Sequence, residues 1–215
     1  LDHADSLGNA GVIEGDGCQW MTADGGLLHQ EMPRRSPRML GLQLWANLPP
    51  ALKMTAPRYR DLPASSIPSV SLSDGGRVRI LAGEFDGVTG PVERDDIAIR
   101  FLDVRLPGGT ALETPVAPDH TAFLLSVRGS LSLGENHEMP EGTRPGDVLL
   151  LSPGDELQVR AWGPGAHFLL VSGRPIGAPI AWGGPIVMNT RAELDLAFRQ
   201  LREGTFVHPG PFQGT

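Results

Sequence analysis

The stretch GGLLHQEMP, residues 25–33, contains an imidazole and a carboxylate, His29 and Glu31, separated by one residue. In an extended chain, residues i and i+2 point to the same side of the strand, so the two groups would face one point in space. Such a pair can form the corner of a metal site, a base with its hydrogen-bonding partner, or a buried polar pair without chemistry. The spacing alone leaves all three readings open.

The segments around this pair have the pattern of short strands joined by tight turns. A Gly-Asn turn at 8–9 precedes an apolar pair at 12–13, and the run CQWMTA at 18–23 is typical of a strand. The run MLGLQLWANL at 39–48 alternates in a way that predicts a strand with one buried face. Its apolar side chains are Leu40, Leu42, Leu44 and Trp45.

The middle of the chain changes character at residue 49 and again near residue 76. Residues 49–75 contain five prolines, which block helix formation because proline lacks the N–H donor, so we expect an ordered crossing or a linker. Residues 76–174 carry strand-like runs about ten residues apart with regular turns, which favours an antiparallel sandwich or barrel.

Four runs within this region give specific expectations. TAFLLSVRGSLSL at 121–133 predicts a strand pair broken at Arg128 and Gly129, and AHFLLVSG at 166–173 predicts a separate last strand. Pro-Gly-Asp turns at 145–147 and 153–155 each precede an apolar strand. The run AIRFLDVRL at 98–106 predicts a buried face formed by Ile99, Leu102, Val104 and Leu106.

The last part of the sequence carries the capping residues of a helix. Thr190 followed three residues later by Glu193 is a capping box, and Gly204 stands where a C-terminal glycine is expected. We therefore predict a helix over 191–203. Its apolar stripe, which we expect to pack on a core, consists of Leu194, Leu196, Phe198 and Leu201.

Composition and charge argue against several classes of function. The net charge is −7, which disfavours direct nucleic-acid binding because such binding needs clustered positive charge. Cys18 is the one cysteine, so no internal disulfide can form and we expect a reducing cytoplasm. No apolar run reaches the roughly 18–20 residues of a membrane span, and the first residues have no basic region or apolar core, so we expect no signal peptide.

Several segments together resemble the pirin family. They are DSLGNAGVIEGDGCQWMTADGGLLHQEMP, GLQLWANLP and, near the end, GGPIVMNTRAELDLAFRQLREG. The resemblance implies an all-β bicupin, with two tandem cupin-type antiparallel β-sandwich barrels and a C-terminal α-helix. On this basis we expect the remainder of an N-terminal cupin domain at 1–48, a proline-rich crossing at 49–75, a C-terminal cupin domain at 76–174, and a return segment with the helix at 175–215.

The resemblance also implies a metal. Pirins hold one non-haem iron through three histidines and a glutamate, two of the histidines coming from P-H-P-H-x-G and the other two ligands from H-x-E-M. His29 and Glu31 match the second motif, and imidazole with carboxylate suits Fe(II). P-H-P-H-x-G is absent from this sequence, so the first barrel and its ligand set are expected to be incomplete. His3 aligns just past that segment and is not predicted as a ligand, and His120, in the second barrel, is not predicted as one either.

Three explanations for the missing motif stay open: the sequence is a portion of a longer protein, another segment completes the sandwich, or the metal site is lost. The resemblance implies quercetin 2,3-dioxygenase activity, in which iron holds a flavonol and Glu31 acts as ligand and base, with Trp20 and Met21 in the apolar lining. An alternative is an iron-dependent, redox-sensitive regulator that binds a transcription factor or a metabolic enzyme. A metal-free remnant without a catalytic role is the third possibility.

Overall fold

The structure, a computed structural model, describes residues 1–23, 25–92, 97–134 and 142–207. Two short 3-10 helices, Pro50–Leu52 and Ala64–Ser66, occur between strands. The strands and the α-helix are, in chain order, β1 (Asp2–Asp5), β2 (Ala10–Val12), β3 (Cys18–Thr22), β4 (His29–Met32), β5 (Arg58–Leu62), β6 (Ser69–Ser71), β7 (Arg77–Ala82), β8 (Glu84–Phe85), β9 (Val88–Thr89), β10 (Arg100–Leu106), β11 (Ala111–Pro115), β12 (Thr121–Leu133), β13 (Val148–Leu150), β14 (Glu156–Gly173), β15 (Ala181–Gly183), β16 (Ile186–Met188) and α1 (Arg191–Glu203).

The chain divides into two compact units. The first contains Leu1–Ala64 together with the chain from Ile176 onward, and the second is Ser65–Pro175. In the first unit, β2, β1 and β4 form a three-stranded antiparallel sheet in that order, β3 pairs with β5, and β15 pairs with β16. This small sheet and the β3–β5 pair position the candidate site.

The second unit is organised around a sheet with strand order β13-β12-β14-β10-β7-β6, and β11 pairs with β14. Alternate residues of these strands point inward and form its core, as expected for a sheet with one buried face. The predicted buried face of β10 and its preceding residue is confirmed, since Ile99, Leu102, Val104 and Leu106 are all buried. The fully buried members of this core include Val78, Ile80, Leu124, Leu131, Val159, Phe168 and Leu170.

Two strands of this sheet run through glycines at which the sequence predicts a break. β12 is continuous over 13 residues and β14 over 18, so the predicted break at Arg128 and Gly129 and the separate strand at 166–173 are both wrong. Gly129 has φ of 78° and lies at a register irregularity between β12 and β14. A glycine with positive φ produces a bulge that bends a strand without ending its pairing, which is why the glycine signal was misleading.

The strand predicted at 39–48 is absent. The structure has no strand between Met32 and Arg58, and the side chains of its intended buried face are exposed. Their exposed fractions are 61% for Leu40, 53% for Leu42, 39% for Leu44 and 55% for Trp45. The alternation is present in the sequence, but within the described residues no neighbouring strand pairs with this segment, and a strand needs such a partner for its backbone hydrogen bonds.

The C-terminal helix is confirmed over Arg191–Glu203, with the full capping box and a left-handed Gly204. Leu194 and Ala197 are buried against Ile186 and the residues around it, whereas Leu196 is 46% exposed and does not belong to the packed stripe. The helix has 13 residues. Among the residues that the structure describes, no helix has the length and apolar character needed to cross a membrane.

Candidate functional site

The two residues with chemistry at the start of the sequence, His29 and Glu31, lie together on β4. The strand is extended over both, so their side chains project from the same face. All four residues of β4 are exposed. The pair is therefore accessible to a ligand, which distinguishes it from a buried polar pair.

Local contacts hold β4 in place next to β1. Leu28 donates its backbone N–H to the Ser6 hydroxyl at 3.0 Å, and the Ser6 N–H donates to the Leu28 carbonyl at 2.7 Å. Ahead of the strand, Gly26 has φ of 121°, and a side chain there would place its Cβ 2.6 Å from the Phe206 carbonyl oxygen. The double glycine before the H-x-E motif thus serves a close backbone approach.

The antiparallel register places Glu31 opposite His3 and His29 opposite Asp5. Directly opposite residues share one face of a sheet, with their Cβ atoms roughly 5 Å apart, so all four side chains project from the same face. Asp5 is committed to the turn that follows β1. Its Oδ1 accepts from the backbone N–H groups of Leu7 and Asn9, both at 2.9 Å.

These hydrogen bonds determine the charge state of the Asp5 carboxyl group. Partial burial would raise the pKa of this carboxyl, but hydrogen bonds from the Asn9 side chain and from the backbone N–H groups of Asn9 and Leu7 outweigh burial and lower the pKa. Asp5 is therefore an ionised carboxylate whose oxygens already accept three hydrogen bonds. It stands beside His29 with most of its acceptor capacity already used.

His3 belongs to a polar cluster that the sequence does not reveal. It is buried, at 5% exposed, and its ring nitrogens contact the Tyr59 hydroxyl, with 2.9 Å to Nε2 and a shorter contact to Nδ1. Asp61 Oδ2 lies 3.5 Å from Nε2. Gln19 donates from Nε2 to the Tyr59 hydroxyl in a short hydrogen bond.

Carboxylates near this cluster affect Tyr59. Burial raises the pKa of the Tyr59 hydroxyl, and the negative charges of Asp61, Asp5 and Glu31 raise it further. Tyr59 is therefore a protonated hydrogen-bond donor at neutral pH.

The predicted apolar lining is only half supported by the geometry. Adjacent residues of a strand point to opposite faces, so Trp20 and Met21 of β3 cannot line one surface together. Met21 is opposite Tyr59 and shares its face, while Trp20 is opposite Arg60 on the other side. Trp20 is therefore removed from the predicted lining.

No preassembled metal cluster surrounds the pair. Across the residues that the structure describes, no group of three or more His, Cys, Asp or Glu side chains is arranged to hold an ion. His120 is in the second unit, where it lines a separate cavity of about 600 Å³ together with Glu156 and Gln158. His29 and Glu31 supply donors of the right type for Fe(II), but two donors are half of the expected set.

Comparison with known proteins finds relatives over nearly the whole chain. The family model described as pirin matches residues 1–46, and the pirin C-terminal cupin domain matches residues 101–207. A pirin-like protein of Caulobacter vibrioides is 39% identical over 208 residues, which cover 96% of this chain and 73% of the relative. Human pirin is 34% identical over 208 residues, which cover 95% of this chain and 71% of the relative.

The solved structures agree with these relatives. A crystal structure of quercetin 2,3-dioxygenase from Acinetobacter baumannii matches with a TM-score of 0.84 at 30% identity, covering 95% of this chain and 72% of that one. The predicted class, all-β with tandem cupin-type antiparallel β-sandwich barrels and a C-terminal helix, is confirmed by this match and by the cupin-domain match.

Proposed function

The chain belongs to the pirin family, and from this premise we propose that it is a metal-binding cupin protein with quercetin 2,3-dioxygenase activity, the iron-dependent cleavage of a flavonol ring. The observation that carries the proposal is the presentation of His29 and Glu31 on one exposed face of β4. Their cross-strand neighbours His3 and Asp5 are engaged elsewhere, which leaves this pair as the accessible donors.

His29 and Glu31 are the residues that would hold iron. When bound, the metal supplies Lewis-acid and oxygen chemistry for ring cleavage. The imidazole and the carboxylate match the donor types that Fe(II) prefers. Because they are two donors and not four, we expect this chain by itself to bind iron more weakly than a complete four-ligand site.

Glu31 has a second role in the proposal. A flavonol must lose its 3-hydroxyl proton before the ring opens, and a carboxylate within hydrogen-bond reach can accept that proton. Glu31 is the exposed carboxylate of β4, whereas Asp5 on the opposite strand already accepts three hydrogen bonds. We therefore assign proton acceptance to Glu31, and substrate contact to Met21, which shares the Tyr59 face of the β3–β5 pair.

The test measures iron and turnover separately. Protein loaded anaerobically with Fe(II) is assayed for bound iron per chain and for loss of flavonol absorbance in air. We expect His29→Ala to lose iron, and Glu31→Gln to lose turnover more completely than it loses iron. Gln30→Ala is the matched control, because Gln30 lies between them on the other face of β4. Full turnover by Glu31→Gln would overturn the assignment.

The same data separate the alternatives. Protein that binds iron at His29 and Glu31 but consumes no flavonol would fit a redox-sensitive regulator of a transcription factor or a metabolic enzyme. Protein that binds no iron would fit a remnant without a catalytic role. The cytoplasm is the compartment we propose, because Cys18 has no disulfide partner in this sequence.

A further inference from the structure

The polar cluster of Gln19, Tyr59, His3 and Asp61 is not used by the proposed function. We propose that His3 is a positioning residue: through Tyr59 it fixes β1 against the β3–β5 pair, and with β1 the paired strand β4 that carries His29 and Glu31. The inference rests on the proposed function for its biological meaning, and it concerns residues that lie close to the candidate donors without being donors themselves.

The polar groups of the cluster contact one another. The Tyr59 hydroxyl accepts from Gln19 Nε2 and contacts both ring nitrogens of His3, and Asp61 Oδ2 lies 3.5 Å from Nε2 of the same ring. Each polar atom of Tyr59 and His3 is thus occupied, so neither side chain has a spare group for substrate or metal.

The cluster connects two sheets that share no strand pairing among the described residues. His3 comes from β1, in the sheet with β2 and β4, while Gln19 belongs to β3 and both Tyr59 and Asp61 to β5. Side-chain bonds therefore set how the sheet that carries His29 and Glu31 lies on the β3–β5 pair. Groups that hydrogen-bond directly to metal ligands change metal affinity or activity by about 10–100-fold when they are removed, and His3 acts one step further out, on the strand that pairs with β4.

Gly11 decides on which side of β1 the His3 ring lies. Gly11 is opposite His3 on β2, and a Cβ built there would be 2.5 Å from His3 Nε2 and 3.2 Å from Asp61 Oδ2. The ring leans over β2, on the far side of β1 from β4. It therefore leaves the space before Glu31 open, which distinguishes a positioning role from that of a third metal ligand.

The first arm of the test measures Co(II) affinity by its visible absorbance, in protein whose folding is checked by urea unfolding. We expect His3→Ala, Tyr59→Phe and Gly11→Ala to weaken Co(II) binding at least tenfold, and His3→Gln to recover part of the loss through its amide oxygen. Asp2→Asn is the matched control. Asp2 lies on the same strand as His3 but on the opposite face, and the substitution removes its ion pair with Arg34. This variant should bind Co(II) as the wild type does.

The second arm uses metal-free protein, so that a failure of the proposed function can be distinguished from a failure of this inference. Amide hydrogen exchange is compared between β4 and β12, in the other unit. We expect exchange in β4 to become at least tenfold faster in His3→Ala and Gly11→Ala, with β12 unchanged. Wild-type protein that binds no Co(II) would refute the metal proposal alone. Unchanged β4 exchange, or Co(II) affinity equal to wild type in all three variants, would overturn the positioning role of His3.

Discussion

Gly129→Ala probes a close backbone approach in the second unit. Gly129 has φ of 78°, and a Cβ built on it would lie 1.9 Å from the Gly165 carbonyl oxygen and 2.9 Å from its carbonyl carbon. Gly109 offers a matched control. Its φ is 84°, but a Cβ there would meet nothing within 4 Å. Both changes introduce alanine into left-handed backbone, and only the first adds a clash.

The two costs can be separated. Left-handed backbone costs a residue with a Cβ about 1–2 kcal/mol, and this part is common to both variants. At position 129 the neighbouring strand must also move by roughly 1 Å, and strain from overpacking typically adds about 1–3 kcal/mol. We therefore expect Gly109→Ala to lower the free energy of unfolding by about 1–2 kcal/mol, and Gly129→Ala by about 2–5 kcal/mol.

Urea unfolding followed by tryptophan fluorescence measures the difference. Each kcal/mol corresponds to a shift in melting temperature of about 2–4 °C for a chain of this size, so thermal unfolding provides a second measurement. The m-value should stay unchanged if both variants keep the native fold. Equal destabilisation by the two substitutions would show that Gly165 moves aside freely, and would refute the clash as the reason for glycine at position 129.

Two further substitutions test the electrostatics and the helix cap. Asp103→Asn should lower the free energy of unfolding at pH 7 by about 3 kcal/mol, because the buried carboxylate contacts Arg79 at 2.9 Å and His167 at 2.7 Å. Burial opposes ionisation of Asp103, but His167 and Arg79 lower its pKa below 3.8 overall, so this stabilisation is complete above pH 3.8 and is lost as the pH falls through the lowered pKa. The difference between wild type and variant should therefore shrink in urea titrations at pH 3, and a constant difference would contradict the assignment. Thr190→Ala should cost about 1 kcal/mol by removing the oxygen that accepts from the Glu193 N–H, whereas Thr190→Ser, compared in the same urea assay, should retain most of the stability.

Elements whose signals are local could be predicted from the sequence. The capping box at Thr190 and the glycine at 204 define both ends of α1 within 15 residues of chain. The inward face of β10 follows from strict alternation between Leu102, Val104 and Leu106. In each case the residues that carry the signal are also those that make the structure, so no distant partner is needed.

Elements that depend on a partner strand could not be predicted in the same way. The segment 39–48 alternates as well as β10 does, yet Leu40 and Trp45 are exposed, because a strand forms only where a neighbour supplies hydrogen bonds. At Gly129 the sequence shows a strand breaker, while the partner strand β14 converts it into a bulge. Periodicity shows that a segment can form a strand, and pairing with a neighbouring strand decides whether it does.

The candidate site combines both kinds of information. The shared face of His29 and Glu31 is a property of four consecutive residues and is visible in the sequence. The engagement of His3 depends on Tyr59, 56 residues away, and on the register that places Gly11 beside its ring. A histidine and an aspartate lie opposite the two donors and would count as ligands by residue type alone. Only their existing hydrogen bonds remove them from the candidate set, and those bonds follow from the pairing of strands distant in sequence.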